Sequence, residues 1–226
     1  MKKILFLFLM VTASYLAMAQ KTMNEGVIVL ELTEIKSDDP SLQGMLSGMK
    51  GGTMETVFTK NKQRSSTNMM GGMIKSVTYT DGKTNKSSTY MDMMGNKIKL
   101  LVDADDVEVD DSNLNFEKTG ETKMINGFKT HQYVVKISDD GVGQGEFVMY
   151  VAEDIKLDNV SLGNNMTTSK IKGAPLEMKM NIQGMTMEYT LKKIEDKVPA
   201  GAFDEPSGYK EMSMEEFQKT MGGMGF

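Results

Sequence analysis

Short runs that alternate apolar and polar residues recur along this 226-residue chain, separated by turns that mostly contain glycine. A period of two belongs to strands, so this pattern constrains the fold more than any other feature. In residues 26–36, Ile28, Leu30 and Leu32 share one face, and Val27, Val29 and Glu31 share the other. Residues 54–64 read as the next strand. Residues 74–80 and 83–91 flank Asp81-Gly82, which predicts a two-residue hairpin turn. Gly95-Asn96 turns into residues 97–102. Residues 128–137 and 146–152 flank Asp139-Asp140-Gly141, and residues 176–182 and 185–194 flank Gln183-Gly184.

Helical signals are few. Asp39 is a candidate N-cap with Pro40 at the first helical position. Leu42, Met45, Leu46 and Met49 then fall at i, i+3, i+4 and i+7, one apolar stripe on a short helix. Gly44 and Gly48 weaken it and Gly51-Gly52 ends it. Ser213-Met214-Glu215-Glu216 is a capping box opening a second short helix with Met214, Phe217 and Met221, beyond which the Met/Gly-rich tail should fray. The expectation is a mainly β fold. It is a curved antiparallel sheet or unclosed half-barrel with short helices on its concave side, or alternatively a two-sheet sandwich.

Residues 1–19 read as a secretory signal peptide. Lys2 and Lys3 form the charged start, an apolar run follows, and Ala17-Met18-Ala19 is the cleavage site. Residues 20–226 then form a single β-rich domain, exported to the periplasm or beyond. No Cys is available for lipid anchoring at the cleavage point. The formal net charge is −5, and it falls further once Lys2 and Lys3 are removed. That balance disfavours nucleic acid and anionic headgroups as partners and leaves the protein peripheral to a membrane at most. Without disulfides, stability must come from core burial.

Catalytic and metal-binding inventories are thin. His131 is the only imidazole, no Ser lies in a Gly-x-Ser-x-Gly elbow, and one His without Cys cannot build a typical zinc site. The Gly141-Val142-Gly143-Gln144-Gly145 run leads into a strand, so no helix dipole serves a phosphate. The carboxylates of 103–111 lack the spacing of a calcium-binding loop and read as a solvated acidic stretch. The expectation is a non-enzymatic protein with no cofactor and no conventional metal site.

Methionine carries what functional signal remains: there are 24, beside no Cys and no Trp. Met178 and Met180 share a strand face, as do Met185 and Met187, with about 7 Å between members of each pair. Because the two strands flank a tight turn, the pairs can lie side by side. Thioethers are flexible and polarisable, so three readings stand open. One is ordinary core packing. A second is a Met-lined concave face holding an apolar small molecule or lipid, with Leu42, Met45, Leu46, Met49, Met178, Met180, Met185 and Met187 as ligand-binding residues. The third is soft-metal Cu(I) binding through the M-x-M pairs. A structural or interaction role in the cell envelope is a further class, using Met/Gly segments such as Met69-Met70-Gly71-Gly72-Met73 as contact surfaces.

The second half carries a resemblance. Glu121-Thr122-Lys123-Met124-Ile125-Asn126-Gly127-Phe128-Lys129, Tyr133-Val134-Val135 and Met149-Tyr150-Val151 come in that order. Gly173-Ala174-Pro175-Leu176-Glu177-Met178 and Gly201-Ala202-Phe203-Asp204-Glu205-Pro206-Ser207-Gly208-Tyr209 follow. Together with the tail, this order resembles an exported bacterial family known as domain of unknown function 4412. That family often has Cys and Trp where this chain has Thr130 and Met149-Tyr150. The order Gly-x-Pro-Leu, two strands, Phe-x-x-Pro-x-Gly is also similar to the LolA-like periplasmic lipoprotein carriers. That resemblance implies an unclosed half-barrel whose apolar concave face holds acyl chains, and it makes the Leu42–Met49 helix a lid candidate.

Overall fold

A computed structural model describes residues 22–84, 86–101, 114–139, 143–157, 160–163, 166–168, 170–213, 215–217 and 219. Residues 1–19, read above as a signal peptide, the acidic stretch at 103–111, the Asp140-Gly141 turn, Met214 and Met221 lie outside them.

The chain is mainly β and folds into one unclosed sheet of 12 strands. The first half contributes β1 (Gly26–Ser37), β2 (Thr53–Phe58), β3 (Lys62–Met69), β4 (Ile74–Asp81), β5 (Lys86–Met93) and β6 (Asn96–Leu101). The second contributes β7 (Leu114–Ile125), β8 (Phe128–Asp139), β9 (Gly143–Ala152), β12 (Ala174–Ile182) and β13 (Met185–Glu195). Between β9 and β12, the short strands β10 (Val160–Gly163) and β11 (Met166–Thr168) pair as a separate hairpin. The final strand, β14 (Lys210–Ser213), runs parallel to β6 and forms one edge.

The spatial order is β14-β6-β5-β4-β3-β2-β1-β13-β12-β9-β8-β7. The chain therefore starts at the middle of the sheet and winds outward through β6. It restarts at the opposite edge with β7 and winds back until β13 closes on β1. Val27 pairs with Glu195 and Ile35 with Met187, so the two halves are joined by contacts far apart in sequence.

The alternation read from β1 holds. Ile28, Leu30 and Leu32 are buried in the main core, and Val27 is buried in a second cluster with Val57 and Ala202. The main core lies on the inner face of β1, β13, β12, β9 and β8. The second lies on the outer face, where residues 196–209 fold back over β1 to β5. Arg64 donates to the Ala202 carbonyl at 3.0 Å, Tyr79 to the Asp204 carbonyl at 3.0 Å, and Tyr90 to the Glu205 carboxylate. The Phe203 to Tyr209 segment is thus a clamp on the sheet.

The inner face changes character at β3. Cross-strand rows there carry Ser65, Thr78 and Thr89, and Gln63, Thr80 and Ser87. Hydroxyls pair directly between Thr78 and Thr89 at 3.0 Å and between Thr80 and Ser87 at 3.1 Å. Beyond these rows Ile98 and Leu100 of β6 are buried again, but the main apolar cluster lies in the other half.

Two strand readings need correction. Residues 54–64 form two strands, because the Thr59 hydroxyl accepts from the Asn61 and Lys62 backbone and turns the chain without glycine or proline. The hairpin after β4 is four residues long, since Asp81 pairs with Lys86 and its carboxylate accepts from the Lys83 and Thr84 N–H groups.

Candidate functional site

The methionine pairs of the last hairpin meet as their spacing implies. Met180 lies opposite Met187 and Ile182 opposite Met185 across β12 and β13. On the other flank of β12, Met178 lies opposite Met149 and Met180 opposite Phe147. Met149, Met178, Met180 and Met187 therefore form one continuous patch over three adjacent strands. Alternation along β12 explains the inward direction: Leu176, Met178 and Met180 are buried, while Lys179 and Asn181 are exposed. Met149 was absent from the residues expected at this face, although the Phe147, Met149, Val151 alternation carries the same signal.

The patch sits deep. Met178 is 1 % exposed and Met180 5 %. Met185 and Met187 are half-buried nearer the hairpin end. Tyr189, opposite Met178, is also buried, and burial pushes its phenol pKa up to about 12.

Two elements approach the inner side. One is a 3-10 turn at Pro40–Leu42 followed by helix α1 (Gln43–Ser47). Asp39 caps the turn through its carboxylate, which accepts from Ser41 N at 2.8 Å. Leu46 is buried, Met49 packs against the main core, and Leu42 is half-buried. The helix is shorter than its apolar stripe implies, and of Met45 only the backbone is described.

The second element is the strap after β9. Met23 bridges Ile155 in parallel, and Ile155, Leu157 and Ile171 are all buried in the core. Met23 N donates to Asp154 O at 3.0 Å and Lys156 N to Met23 O at 2.7 Å. Glu153 pins the strap to the sheet: Tyr133 donates to its carboxylate at 2.7 Å and Lys118 forms an ion pair with it. Burial works to raise the Glu153 pKa, but the hydrogen bonds from Lys118 and Tyr133 outweigh it and hold the carboxyl below its usual range. Burial, then the same carboxylate, pushes the Tyr133 phenol up.

Between strap and sheet is a crevice lined by residues including Ile28, Leu30, Met54, Leu157, Ala174 and Met178. Its volume is about 20 Å³, room for about one water molecule. This crevice is too small for an acyl chain.

Among the described residues, no group of three or more His, Cys, Asp or Glu side chains could hold a metal ion, and no helix is long and apolar enough to cross a membrane. His131 lies on the inner face of β8 in line with Tyr133, Val135 and Ile137.

No protein-family model matches the chain, and neither does any curated protein sequence. The resemblance to domain of unknown function 4412 is therefore not supported by a family match. Two crystal structures of PNGF-II, in space groups P21 and C2, match 89 % and 88 % of the chain with TM-scores of 0.52 and 0.55. Identities are 14 % and 12 %, and the chain spans 34 % and 32 % of those longer chains, about a third. This likeness is one of fold. Two further structures match 87 % and 82 % of the chain, both with a TM-score of 0.32. One is a Vibrio parahaemolyticus domain named for outer membrane lipoprotein sorting, at 7 % identity, and the other is LprF from Mycobacterium bovis, at 12 %.

Proposed function

We propose that this protein is an exported, non-enzymatic envelope protein that holds an apolar chain, such as a lipid acyl group, against the methionine patch of its inner face. The observation that carries this reading is the continuous surface of Met149, Met178, Met180 and Met187 on one side of three adjacent strands. Unbranched thioether side chains repack around guests of different shape more readily than branched ones. The cover over this half of the sheet includes the strap, whose Ile155, Leu157 and Ile171 are buried against it. The strap is held by backbone bonds at Met23 and by the Glu153 anchor. In the closed state the crevice has no room for an acyl chain, so binding requires the strap to lift.

The test is fluorescent fatty-acid titration, alongside native mass spectrometry of protein purified without detergent. Saturable binding is expected, tighter or faster in Glu153→Gln, whose strap is released. Absence of binding in both forms, with no co-purified lipid, overturns the reading.

A further inference from the structure

The Met/Gly segments of the first half are distinct from the buried patch, and the fold gathers two of them at one end of the sheet. Met69 ends β3 and is followed by a turn of Met70, Gly71, Gly72 and Met73, and Met93 ends β5 and is followed by a turn of Met94 and Gly95. The two turns are locked side by side. Met94 N donates to the Met73 carbonyl at 2.8 Å, and Met73 N donates to the Met70 carbonyl at 3.3 Å. Ile74 pairs with both Met69 and Met93, which places those two on either side of it. Five methionines therefore surround one turn-to-turn contact.

Met69, Met70 and Met93 are half-buried, but the other two are more exposed than any residue of the M-x-M pairs. Met73 is 48 % exposed and Met94 68 %. Packing does not account for these side chains. Local conformation does not favour them either. Met70 and Met94 both have φ 52°, left-handed backbone that Asn or Gly adopts more readily than an unbranched thioether side chain. Two residues in adjacent, hydrogen-bonded turns thus hold an unfavourable backbone. Asp92, the carboxylate nearest in sequence, is engaged in accepting from Gly95 N at 2.9 Å. Lys75 lies alongside, with Cε 3.1 Å from the position a Gly72 side chain would occupy. That cation disfavours a hard, doubly charged metal ion. Neutral soft sulfur donors select a soft, singly charged one.

We propose that Met70, Met73 and Met94 bind one soft monovalent metal ion, Cu(I) or its analogue Ag(I), with Met69 and Met93 as neighbouring donors. This site is independent of the apolar face, and either can exist without the other.

The probe is Ag(I), which needs no reductant, titrated into the full chain and followed by native mass spectrometry with a competing thioether chelator. One bound ion is expected. Affinity should fall by at least about tenfold when Met70, Met73 and Met94 are all changed to Leu. It should stay unchanged in the Met178→Leu, Met180→Leu variant. A second variant, Met70→Asn with Met94→Asn, relieves the left-handed strain while removing two donors. It should therefore be more resistant to denaturant yet lose the ion. Bound Ag(I) should also shield these methionines, and not Met124, from peroxide oxidation read by peptide mapping. Failure to bind Ag(I), or equal affinity in the triple Leu variant, overturns the proposal.

Discussion

Met180 sits directly opposite Met187 across the last hairpin, and Met178 sits directly opposite Met149 across the neighbouring strand pair. These two contacts make a single sulfur-rich surface out of residues that a strand period alone can only pair locally. Met178 and Met180 are nearly inaccessible, so truncation should behave as a core deletion. Met178→Ala is expected to cost about 2–5 kcal/mol, whereas Met178→Leu should cost less than about 1.5 kcal/mol. Urea unfolding followed by far-UV circular dichroism checks both, and a Met178→Ala cost below that of the Leu variant would falsify the packing described.

The strap anchor makes stability depend on acid. The Glu153 carboxyl is held below its usual value in the folded protein by Lys118 and Tyr133, against the opposing effect of burial. A lowered folded pKa contributes stability that is complete above the unfolded carboxyl value. It is lost as pH falls through the folded value. Glu153→Gln should therefore lower Tm at neutral pH, and the gap to wild type should close as pH drops below about 4. A gap that stays constant from pH 7 to 3 contradicts the role assigned to this carboxylate.

Alkali acts through the two buried phenols of opposite faces. Burial raises the Tyr189 pKa to about 12. Burial, then the Glu205 hydrogen bond, pushes Tyr90 well up. A raised folded pKa contributes stability present below the unfolded phenol value and lost as pH rises through the folded one. Unfolding should thus set in above about pH 10. Tyr189→Phe should delay it, as measured by thermal melts across the alkaline range. Tyr90→Phe should delay it too, but at a cost at neutral pH, because the clamp of residues 196–209 loses its bond to Glu205.

The strands themselves were legible wherever one face is buried. In β1, β12 and β13 the alternation identifies the inward residues, and Gln183-Gly184 marks its turn, with both residues at positive φ. The capping box also forms, Ser213 N donating to Glu216 and Glu216 N to the Ser213 hydroxyl. β7 escaped notice because it is an edge strand: apart from Leu114 its residues are half-buried or exposed, so Glu117, Lys118, Glu121 and Lys123 break any apolar period. The strap escaped because Glu153-Asp154 reads as a loop, while Ile155 and Leu157 bury only through the distant bridge to Met23. The order of strands was not legible at all, since β1 meets β13 through register that no local pattern encodes. The candidate site was therefore half visible: the inward direction of Met149, Met178 and Met180 follows from strand periodicity, but the juxtaposition of Met149 with Met178 and the cover over them depend on long-range pairing.

The turns offer a comparison internal to the molecule. Asn126-Gly127, Met94-Gly95 and Gln183-Gly184 each place a non-glycine residue at φ near +50° followed by a glycine also at positive φ. Asn is the residue best suited to the first position of such a hairpin turn, because its short polar side chain tolerates left-handed backbone. Only one of the three turns has it. Met94→Asn and Gln183→Asn should each stabilise the fold by about 1 kcal/mol, and Asn126→Met should destabilise it by a similar amount. Chemical denaturation with unchanged slope measures all three. The Gln183 and Asn126 substitutions leave every methionine of the end-of-sheet cluster intact, so they calibrate the backbone effect alone. If Met94→Asn stabilises as Gln183→Asn does, Met94 is held at the turn against the preference of its own backbone. If Met94→Asn instead destabilises, the Met94 side chain contributes packing that its 68 % exposure does not reveal, and packing rather than metal binding accounts for Met94 at the turn.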